Sequence, residues 1–398
     1  MQGLECTIVR GGTSKGVYME RSQLPPPGEE RDRIILEVFG SPDVRQIDGL
    51  GGADKLTSKV AVMGPPTRDD CDIDYLFGQV GTKLPTVDWR GNCGNLSAGA
   101  ALYAVHKGYV KSPRVESGKA HQDGYHRDVV EFAIHQVNTG RRLRARIPME
   151  GGRAALRGDF AIGGVPGTGP RIELDFGDFG GGAMRKGLLP TGNVVDRFDV
   201  PGLPGLEASV VDAANLCVFV RARDVGVDPQ VGIEELQADA ALVARLEAIR
   251  ATVSREIGFV TENVAFQMQV QLNPLLFAVA APETYKALGG SIVDEGSHDI
   301  LARSLARFAF SKAYPATGSI GTSVAVGLEG SIANQAFRGV AGPGQAGQEY
   351  RVRIGHPGGC MEVRTTLARA GGAAPELVSA VVGRTARVIM DGRVYRRA

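Results

Sequence analysis

Two stretches of this 398-residue sequence share one pattern: Asn92-Cys-Gly-Asn-Leu-Ser-Ala-Gly-Ala-Ala-Leu102 and Ala316-Thr-Gly-Ser-Ile-Gly-Thr-Ser-Val-Ala-Val326. Each contains a small polar residue, a glycine and a residue typical of helix caps, Asn95 or Ser319, and continues in small apolar residues. Small side chains let strands approach a helix closely, so each stretch predicts a helix surrounded by sheet. Two such helices indicate two similar domains that face each other. Chance similarity between glycine- and alanine-rich segments is the alternative explanation.

The composition predicts a globular protein of two or three domains, at roughly 150 residues per domain. Hydrophobic residues make up 43% and charged residues 22% of the chain, which excludes an intrinsically disordered protein. The formal net charge of +1 argues against a nucleic-acid binder, which usually carries a basic surface. The 55 glycines follow no fixed period and indicate many tight turns in a β-rich enzyme.

Neither a membrane span nor a secretory signal is expected. No apolar run reaches the length of about 18 residues that a spanning helix needs, and the N-terminus lacks a basic flank followed by an apolar stretch. The five cysteines include no Cys-x-x-Cys pair, so free thiols in a cytoplasmic protein are expected. Because the histidines lack metal-binding spacing and no dinucleotide motif follows a strand, we expect no metal and no cofactor.

Residue patterns assign strands and helices along the chain. They predict strands at residues 6–10, 59–63, 72–80 and 171–175, and helices at residues 31–38, 96–106, 234–257 and 299–312. A polar stretch at residues 112–127 is interpreted as a surface loop. The glycine-rich stretch at residues 151–192 is interpreted as an interdomain region.

The segment Arg10-Gly-Gly-Thr-Ser-Lys-Gly16 offers groups that bind anions. It departs from the phosphate-loop pattern, because Lys15 is followed by glycine rather than by serine or threonine. What remains is a turn with backbone N–H groups, two hydroxyls and two cations, which can hold a carboxylate. The alternative is a glycine turn with solvated charges.

Lys59 opens a predicted apolar strand after a glycine-rich segment. A lysine in that place would be partly desolvated, which favours the neutral amine and makes Lys59 a candidate proton acceptor. Other positive groups would then have to hold the charge of an anionic substrate. A surface lysine is the simpler interpretation when this segment is considered alone.

Cys93 stands where the first small-residue helix begins. Unpaired N–H groups and the positive end of a helix dipole stabilise a thiolate there, and the same groups bind carboxylate oxygens. Cys93 is therefore a candidate nucleophile, proton donor or proton acceptor. Cys6, Cys71 and Cys217 lie in strand-like runs and are interpreted as inert core residues.

Short segments then occur in a characteristic order: Arg10-Gly-Gly-Thr-Ser-Lys-Gly16, Gly40-Ser-Pro-Asp43, Gln46-Ile-Asp-Gly49, Gly51-Gly-Ala-Asp54, Thr57-Ser-Lys59, Asn92-Cys-Gly-Asn95, Asp212-Ala-Ala-Asn-Leu-Cys-Val-Phe219 and Arg384-Thr-Ala-Arg-Val-Ile-Met390. Together they resemble the 2-methylaconitate cis-trans isomerase family. Within that family, the segments at residues 51–54, 70–80 and 189–193 are most similar to 4-oxalomesaconate tautomerases. The resemblance covers most of the chain and is strongest over residues 1–110.

The resemblance implies an α+β, diaminopimelate-epimerase-like fold of two pseudo-symmetric domains. Each domain would wrap a sheet around a central helix, with the active site in the cleft between them. The domains are expected at residues 1–188, with the C-terminal strand 384–398, and at residues 189–383. The family's lysine falls on Lys59 and its cysteine on Cys93. Thr317 stands where epimerases of this fold carry a second cysteine, which disfavours two-thiol racemisation of an amino acid.

We therefore hypothesise a cytoplasmic, cofactor-independent isomerase that shifts a proton across an allylic system of an unsaturated di- or tricarboxylate, with 4-oxalomesaconate or a close analogue as the first choice. Lys59 would remove the proton, and either Lys59 or Cys93 would return it. Residues expected to bind the substrate are Arg10, Thr13, Ser14, Lys15, Ser58, Gly94, Asn95, Gly318, Ser319, His356 and Gly358.

Three alternatives stay open at this point. The first is a 2-methylaconitate cis-trans isomerase or a methylitaconate isomerase that uses the same residues. The second is a non-catalytic carboxylate-binding accessory protein, and the third is an acyl-transfer enzyme with Cys93 as nucleophile. The expected partner is a small-molecule polycarboxylate, neither nucleic acid nor membrane, and the sequence leaves a homodimer open.

Overall fold

The computed structural model describes residues 3–110, 114–116, 128–270, 272–339, 347–368 and 375–396. Contacts divide the chain into two compact units. Unit 1 comprises residues 1–175 and 383–398, and unit 2 comprises residues 176–382. The boundary between Asp175 and Phe176 falls inside the glycine-rich stretch at residues 151–192, while the expected domain boundary at residue 188 stays a prediction.

Unit 1 is built on a mixed sheet. Its strands, numbered along the whole chain, are β1 (Gly3–Gly11), β2 (Ser14–Glu20), β3 (Lys59–Gly64), β4 (Ile73–Val80), β5 (Val87–Asp88), β6 (Arg114–Glu116), β7 (Asp128–Gln136), β8 (Arg141–Glu150), β9 (Arg153–Ala154), β10 (Ile172–Asp175) and β22 (Ala386–Tyr395). Pairing gives the order β22-β1-β2-β3-β4-β7-β8-β10. The pairs β2/β3 and β4/β7 are parallel, and the other neighbours are antiparallel.

Unit 2 has its own succession of paired strands. Its strands are β11 (Asp196–Val200), β12 (Leu203–Ala213), β13 (Asn215–Arg221), β14 (Leu275–Ala280), β15 (Tyr285–Lys286), β16 (Ile292–Val293), β17 (Ile300–Ala306), β18 (Ala309–Phe310), β19 (Glu349–His356), β20 (Gly359–Ala368) and β21 (Glu376–Arg384), whose last two residues belong to unit 1. Pairing gives the order β11-β12-β13-β14-β17-β19-β20-β21. Here β13/β14 and β17/β19 are the parallel pairs. β15 and β16 form a separate two-stranded sheet.

The two units repeat one succession of strand pairings. In each order of eight strands, the third and fourth strands are parallel, as are the fifth and sixth. The helix α2 (Gly94–His106) lies between the fifth and sixth of these strands along the chain in unit 1, and α6 (Ala316–Gly327) does so in unit 2. These are the two helices that the repeated sequence pattern predicts, so the sequence repeat has a counterpart in topology.

Both small-residue helices are buried by the strands of their own units. α2 contacts β1, β2, β3, β4, β8, β9, β10 and β22, and α6 contacts β12, β13, β19 and β20. A Cβ atom at Gly99 of α2 would overlap the hydroxyl of Tyr18, which donates a hydrogen bond of 2.7 Å to the carbonyl of Leu96. A Cβ atom at Gly327 of α6 would overlap the hydroxyl of Tyr350. Glycine therefore lets a buried tyrosine reach the backbone of each helix.

The remaining helices cover other parts of the sheets. In unit 1, α1 (Glu29–Phe39) contributes Ile34, Ile35 and Val38 to a core with β2 and β3. In unit 2, the helices α3 (Ile233–Ala238) and α4 (Ala240–Glu256) pack on β11–β14, and α5 (Val264–Val270) and α7 (Ile332–Ala336) follow. No helix in the described part of the chain is both long and apolar enough to cross a membrane.

Most of the predicted elements are confirmed, with two corrections. The helix expected at residues 234–257 is broken at Asp239, whose carboxylate accepts a hydrogen bond from the Leu242 N–H and caps α4. The helix expected at residues 299–312 is wrong, because this segment forms β17 and β18. All residues of β17 are buried between β14 and β19, so its apolar residues need not alternate.

The interpretation of residues 112–127 as a surface loop falls mostly outside the described residues. Its described part, Arg114–Glu116, forms strand β6, which pairs with β7. The interpretation is therefore wrong for these three residues. A short strand in a polar segment owes its place to the neighbouring strand, which no local pattern reveals.

Replacing Gly99 by alanine is expected to lower the free energy of unfolding by about 1–3 kcal/mol. The added methyl group overlaps the Tyr18 hydroxyl, so the ring must move and its buried hydrogen bond weakens. Urea denaturation of the purified protein measures the change. Gly289→Ala is the control, because open space surrounds that position, and it should change stability by no more than about 0.5 kcal/mol.

The double variant Gly99→Ala/Tyr18→Phe tests the cause. Removing the hydroxyl makes room for the methyl group, so the double variant should lose less stability than the sum of the two single changes. Strict additivity would contradict the packing explanation.

Candidate active site

The structure brings Lys59 and Cys93 into contact. Lys59 is the first residue of β3 and Cys93 directly precedes α2; both are buried, with 6% and 7% of their surfaces exposed. Lys59 Nζ lies 3.6 Å from Cys93 Sγ and donates a hydrogen bond of 2.9 Å to Gln79 Oε1. Gln79 stands opposite Lys59 in the antiparallel pair β3/β4. The interpretation of Lys59 as a surface lysine is therefore wrong.

Gln79 directs its oxygen at the lysine because its amide nitrogen is engaged elsewhere. Gln79 Nε2 donates to the carbonyls of Lys55 at 3.1 Å and Ser58 at 2.9 Å. The ring of Phe77 lies 5.0 Å from Lys59 Nζ. These partners of the amine carry no negative charge. A carboxylate in the place of Gln79 would hold the amine charged, whereas a neutral amide leaves proton transfer to and from Nζ feasible.

Cys93 is held rigidly at the start of α2. Its carbonyl accepts hydrogen bonds from the Ser97 N–H at 2.9 Å, the Ser97 hydroxyl at 3.0 Å and the Tyr75 hydroxyl at 3.3 Å. The first N–H groups of a helix have no acceptor within the helix. Negative charge near Gly94 and Asn95 is therefore favoured.

The turn between β1 and β2 packs against the same helix start. Asn95 Nδ2 donates a hydrogen bond of 3.0 Å to Thr13 Oγ1. Gly12 has a φ of 51°, and a Cβ atom there would overlap Asn95 Oδ1. Glycine alone adopts this positive φ at little cost and has no Cβ atom to overlap the Asn95 amide. The predicted anion-binding turn and the predicted thiol site thus form one neighbourhood.

Other predicted ligands in unit 1 have protein partners. Arg10 Nη1 donates to the carbonyl of Thr385 at 2.7 Å, and burial lowers the pKa of Arg10. Ser58 donates a hydrogen bond of 2.6 Å to Gln46 Oε1. The N–H of Lys15 donates to the Leu56 carbonyl at 2.9 Å, which ties the turn to the segment before Lys59. Ser14 is buried in the same turn, and the roles of these residues in substrate binding stay predictions.

The capping roles expected for Asn95 and Ser319 are wrong. Each helix begins earlier than its polar residue suggests: Cys93 occupies the cap position of α2, and Pro315 occupies that of α6. Asn95 is the second residue of its helix and reaches Thr13. Ser319 is the fourth residue of its helix and donates a hydrogen bond of 2.7 Å to the Ala316 carbonyl.

The predicted ligands in unit 2 also share one neighbourhood. Gly318 and Ser319 lie in the first turn of α6. His356 ends β19, and its ring centroid lies 5.8 Å from that of Tyr314, just before α6. The Gly358 N–H donates a hydrogen bond of 3.1 Å to His356 Nδ1. That these four residues bind substrate stays a prediction.

Sequence reasoning missed two residues at the site of unit 1. Pairing of the predicted strands at residues 59–63 and 72–80 could have placed Gln79 near Lys59, but a sequence pattern does not determine the register of that pair. Arg384 is 3% exposed, and its Nε donates a hydrogen bond of 3.2 Å to Asn95 Oδ1 from a position 289 residues away. Burial lowers the pKa of Arg384 to about 10, although the neighbouring Cys93 opposes this shift. The motif at residues 384–390 contributed to the family resemblance, but nothing in it indicated that Arg384 contacts Asn95.

Thr317 occupies the corresponding region of unit 2, where its hydroxyl accepts a hydrogen bond of 2.7 Å from Asn215 Nδ2. Thr317 and Asn215 carry a hydroxyl and an amide, so no counterpart of the Lys59–Cys93 pair stands at this position. Across the described residues, no cluster of three or more histidine, cysteine, aspartate or glutamate side chains is arranged to hold a metal ion.

Comparison with known families and proteins places the chain among isomerases. The family model described as "PrpF protein" matches residues 1–397. The chain is 39% identical to 3-methylitaconate isomerase of Eubacterium barkeri, over 98% of this chain and 97% of that protein. It is 32% identical to 2-methyl-aconitate isomerase of Shewanella oneidensis, over 98% and 95%. It is 35% identical to 4-oxalomesaconate tautomerase of Pseudomonas putida, also over 98% and 95%.

Solved structures agree in fold. A crystal structure of methylitaconate-delta-isomerase matches with a TM-score of 0.74 at 37% identity, over 99% of this chain and 96% of that one. A probable proline racemase from Agrobacterium radiobacter K84 matches with a TM-score of 0.52 at 12% identity, over 98% and 93%, which shows the fold alone. The chain therefore has a proline-racemase-like fold of mixed sheets and helices, which agrees with the expected α+β class; the expected cleft between two pseudo-symmetric domains stays a prediction.

Proposed function

Because this chain belongs to the PrpF protein family, whose relatives reported above are isomerases or tautomerases, we propose that it moves a proton across an allylic system of an unsaturated di- or tricarboxylate without a cofactor. The chain is an isomerase. The observation that supports this particular chemistry is the contact of 3.6 Å between Lys59 Nζ and Cys93 Sγ at the buried start of α2.

The neutral amine of Lys59 takes a proton from a carbon that a conjugated carboxylate or keto group acidifies. The electron pair of the broken C–H bond enters the conjugated system and forms a dienolate. A proton then returns to the carbon at the other end of the three-carbon unit, and the double bond has moved. One proton leaves and one arrives, so the reaction requires no net oxidation or reduction.

The positive groups around the site suit the charge of the dienolate. Lys59 is an ammonium ion after the first step, and Arg384 places a buried guanidinium beside Asn95. The N–H groups at the start of α2 add partial positive charge. Groups held in place before the reaction stabilise developing charge better than mobile water does.

Lys59 Nζ and Cys93 Sγ lie close enough together for either group to exchange a proton with the same substrate. In the isomerase, either group can return the proton, and Cys93→Ala distinguishes the two routes. If the thiol returns it, the variant will still exchange the first proton with solvent but form little product. The acyl-transfer alternative has less support, since the side-chain partner that the structure gives Cys93 Sγ is an amine rather than a histidine.

We propose 4-oxalomesaconate or a close analogue as the substrate. The tautomerase from Pseudomonas putida supports this choice, together with the sequence segments at residues 51–54, 70–80 and 189–193. A methylitaconate or 2-methylaconitate substrate is the second candidate, supported by the 39% and 32% identical relatives. We also propose a cytoplasmic location, which the five free cysteines support.

Lys59→Ala is expected to slow proton exchange between substrate and deuterated water at least about 100-fold, because a positioned base is lost. Proton NMR of the substrate incubated with the purified variant measures the exchange. Lys107→Ala is the control, because Lys107 pairs with Asp391 away from the proposed base and should leave the rate unchanged. Exchange at the wild-type rate in Lys59→Ala would exclude Lys59 as the base.

Gln79→Glu is expected to lower the rate of proton exchange at pH 7 at least about tenfold. The new carboxylate would face Lys59 Nζ and keep the amine charged, and a charged amine cannot accept a proton. Gln79→Leu is the matched control: it loses the same hydrogen bond without adding charge and should lower the rate much less. Equal rates for wild type and Gln79→Glu would contradict the assigned base.

A substrate panel separates the two candidate activities. Wild-type protein is incubated with 4-oxalomesaconate, 2-methylaconitate and methylitaconate, and product formation is followed by proton NMR. The highest kcat/KM is expected for 4-oxalomesaconate. A higher value for either of the other compounds would transfer the assignment to the second candidate.

A further inference from the structure

We propose that Arg384 is a positioning residue that acts through Asn95 to make the Thr13 hydroxyl a hydrogen-bond donor to a substrate oxygen. The inference rests on the proposed function, because it assigns a role in binding the same polycarboxylate. It concerns three side chains joined by two hydrogen bonds, from Arg384 Nε to Asn95 Oδ1 at 3.2 Å and from Asn95 Nδ2 to Thr13 Oγ1 at 3.0 Å.

The chemistry of arginine determines which way the Asn95 amide faces. A guanidinium has N–H donors and no acceptor, so the atom that faces Arg384 has to be the amide oxygen. Arg384 stays protonated at neutral pH, since burial lowers its pKa only to about 10. Near neutral pH, Arg384 is therefore always the donor in this first hydrogen bond and Asn95 Oδ1 the acceptor.

The second hydrogen bond follows from the first. With its oxygen held by Arg384, Asn95 presents its NH₂ group to Thr13, and the threonine oxygen accepts. The hydrogen of the Thr13 hydroxyl is then available for another acceptor. Among the residues that the structure describes, no acceptor for that hydrogen is found, and Thr13 is partly exposed. A carboxylate or enolate oxygen of the substrate suits this donor.

Packing leaves the three groups little freedom. A Cβ atom at Gly12 would overlap Asn95 Oδ1 and approach Arg384 Cδ to 3.2 Å. A Cβ atom at Gly11 would overlap the Asn95 carbonyl oxygen. Because Gly11 and Gly12 lack side chains, the backbone of the turn can pack in direct contact with Asn95. A donor whose direction is set in advance costs less to align when the anion binds.

Asn95→Asp is the most direct test, because it reverses the direction of the second hydrogen bond with almost no change in shape. The new carboxylate can only accept, so Thr13 must donate to it and is lost as a donor to the substrate. Thr13→Val should therefore lower kcat/KM about tenfold, mainly through KM, and Asn95→Asp should lower it at least as much, because its carboxylate also repels the anionic substrate. The two changes together should lower it no further than Asn95→Asp alone.

Arg384 is tested in the same cycle. Arg384→Met frees the Asn95 amide to rotate and should raise KM about tenfold. The double variant Arg384→Met/Thr13→Val should have a KM no higher than that of Thr13→Val. Arg384→Lys restores a hydrogen-bond donor and should recover much of the loss. Arg393→Met is the control, since Arg393 is exposed on β22 and pairs with Glu5. Urea denaturation of each variant separates loss of fold from loss of the donor. A fall of about 100-fold in the double variant would show independent effects and overturn the inference.

Binding of tricarballylate, a saturated tricarboxylate that cannot isomerise, repeats the cycle by calorimetry. A loss of affinity in Thr13→Val, with a loss in the combination no greater than in Asn95→Asp alone, supports the inference even if wild-type protein exchanges no proton. Absence of proton exchange by itself contradicts only the proposed function. Full affinity in Asn95→Asp, or no binding to wild-type protein, overturns the inference.

Discussion

The close approach of strands to a buried helix of small residues is the constraint on which the rest of unit 1 depends. α2 can be enclosed only because alanine and glycine leave room for Tyr18 and its neighbours. Enclosure places the first turn of the helix inside the protein. There the unsatisfied N–H groups, which on a surface helix would meet water, are available to an anion.

One strand end and one turn meet at that helix start. β3 begins with the amine of Lys59, the thiol of Cys93 lies directly before the helix, and the turn at Gly12 contacts Asn95. Burying the Lys59 amine and the Arg384 guanidinium removes both cations from water and opposes folding. An anion that binds beside these two cations would offset part of that cost.

The two units share a succession of strand pairings and differ in what stands at the helix start. Unit 1 has a thiol in contact with an amine, whereas unit 2 has Thr317 in a hydrogen bond with Asn215. A hydroxyl held by an amide is a poor acid or base at neutral pH. The common topology therefore supports different chemistry in the two halves, because function depends on the residues at the site more than on the fold that carries them.

The sequence by itself determined the short-range features: the small-residue helices, the strands at residues 6–10 and 59–63, and Lys59 and Cys93 as reactive candidates. Each of these follows from residues that are neighbours in the chain. Only the tertiary structure decided that residues 300–306 form a buried strand, that Gln79 faces Lys59, and that Arg384 reaches Asn95 across 289 residues. The physical reason is that strand register and burial arise from partners distant in sequence, and a local pattern contains no information about them.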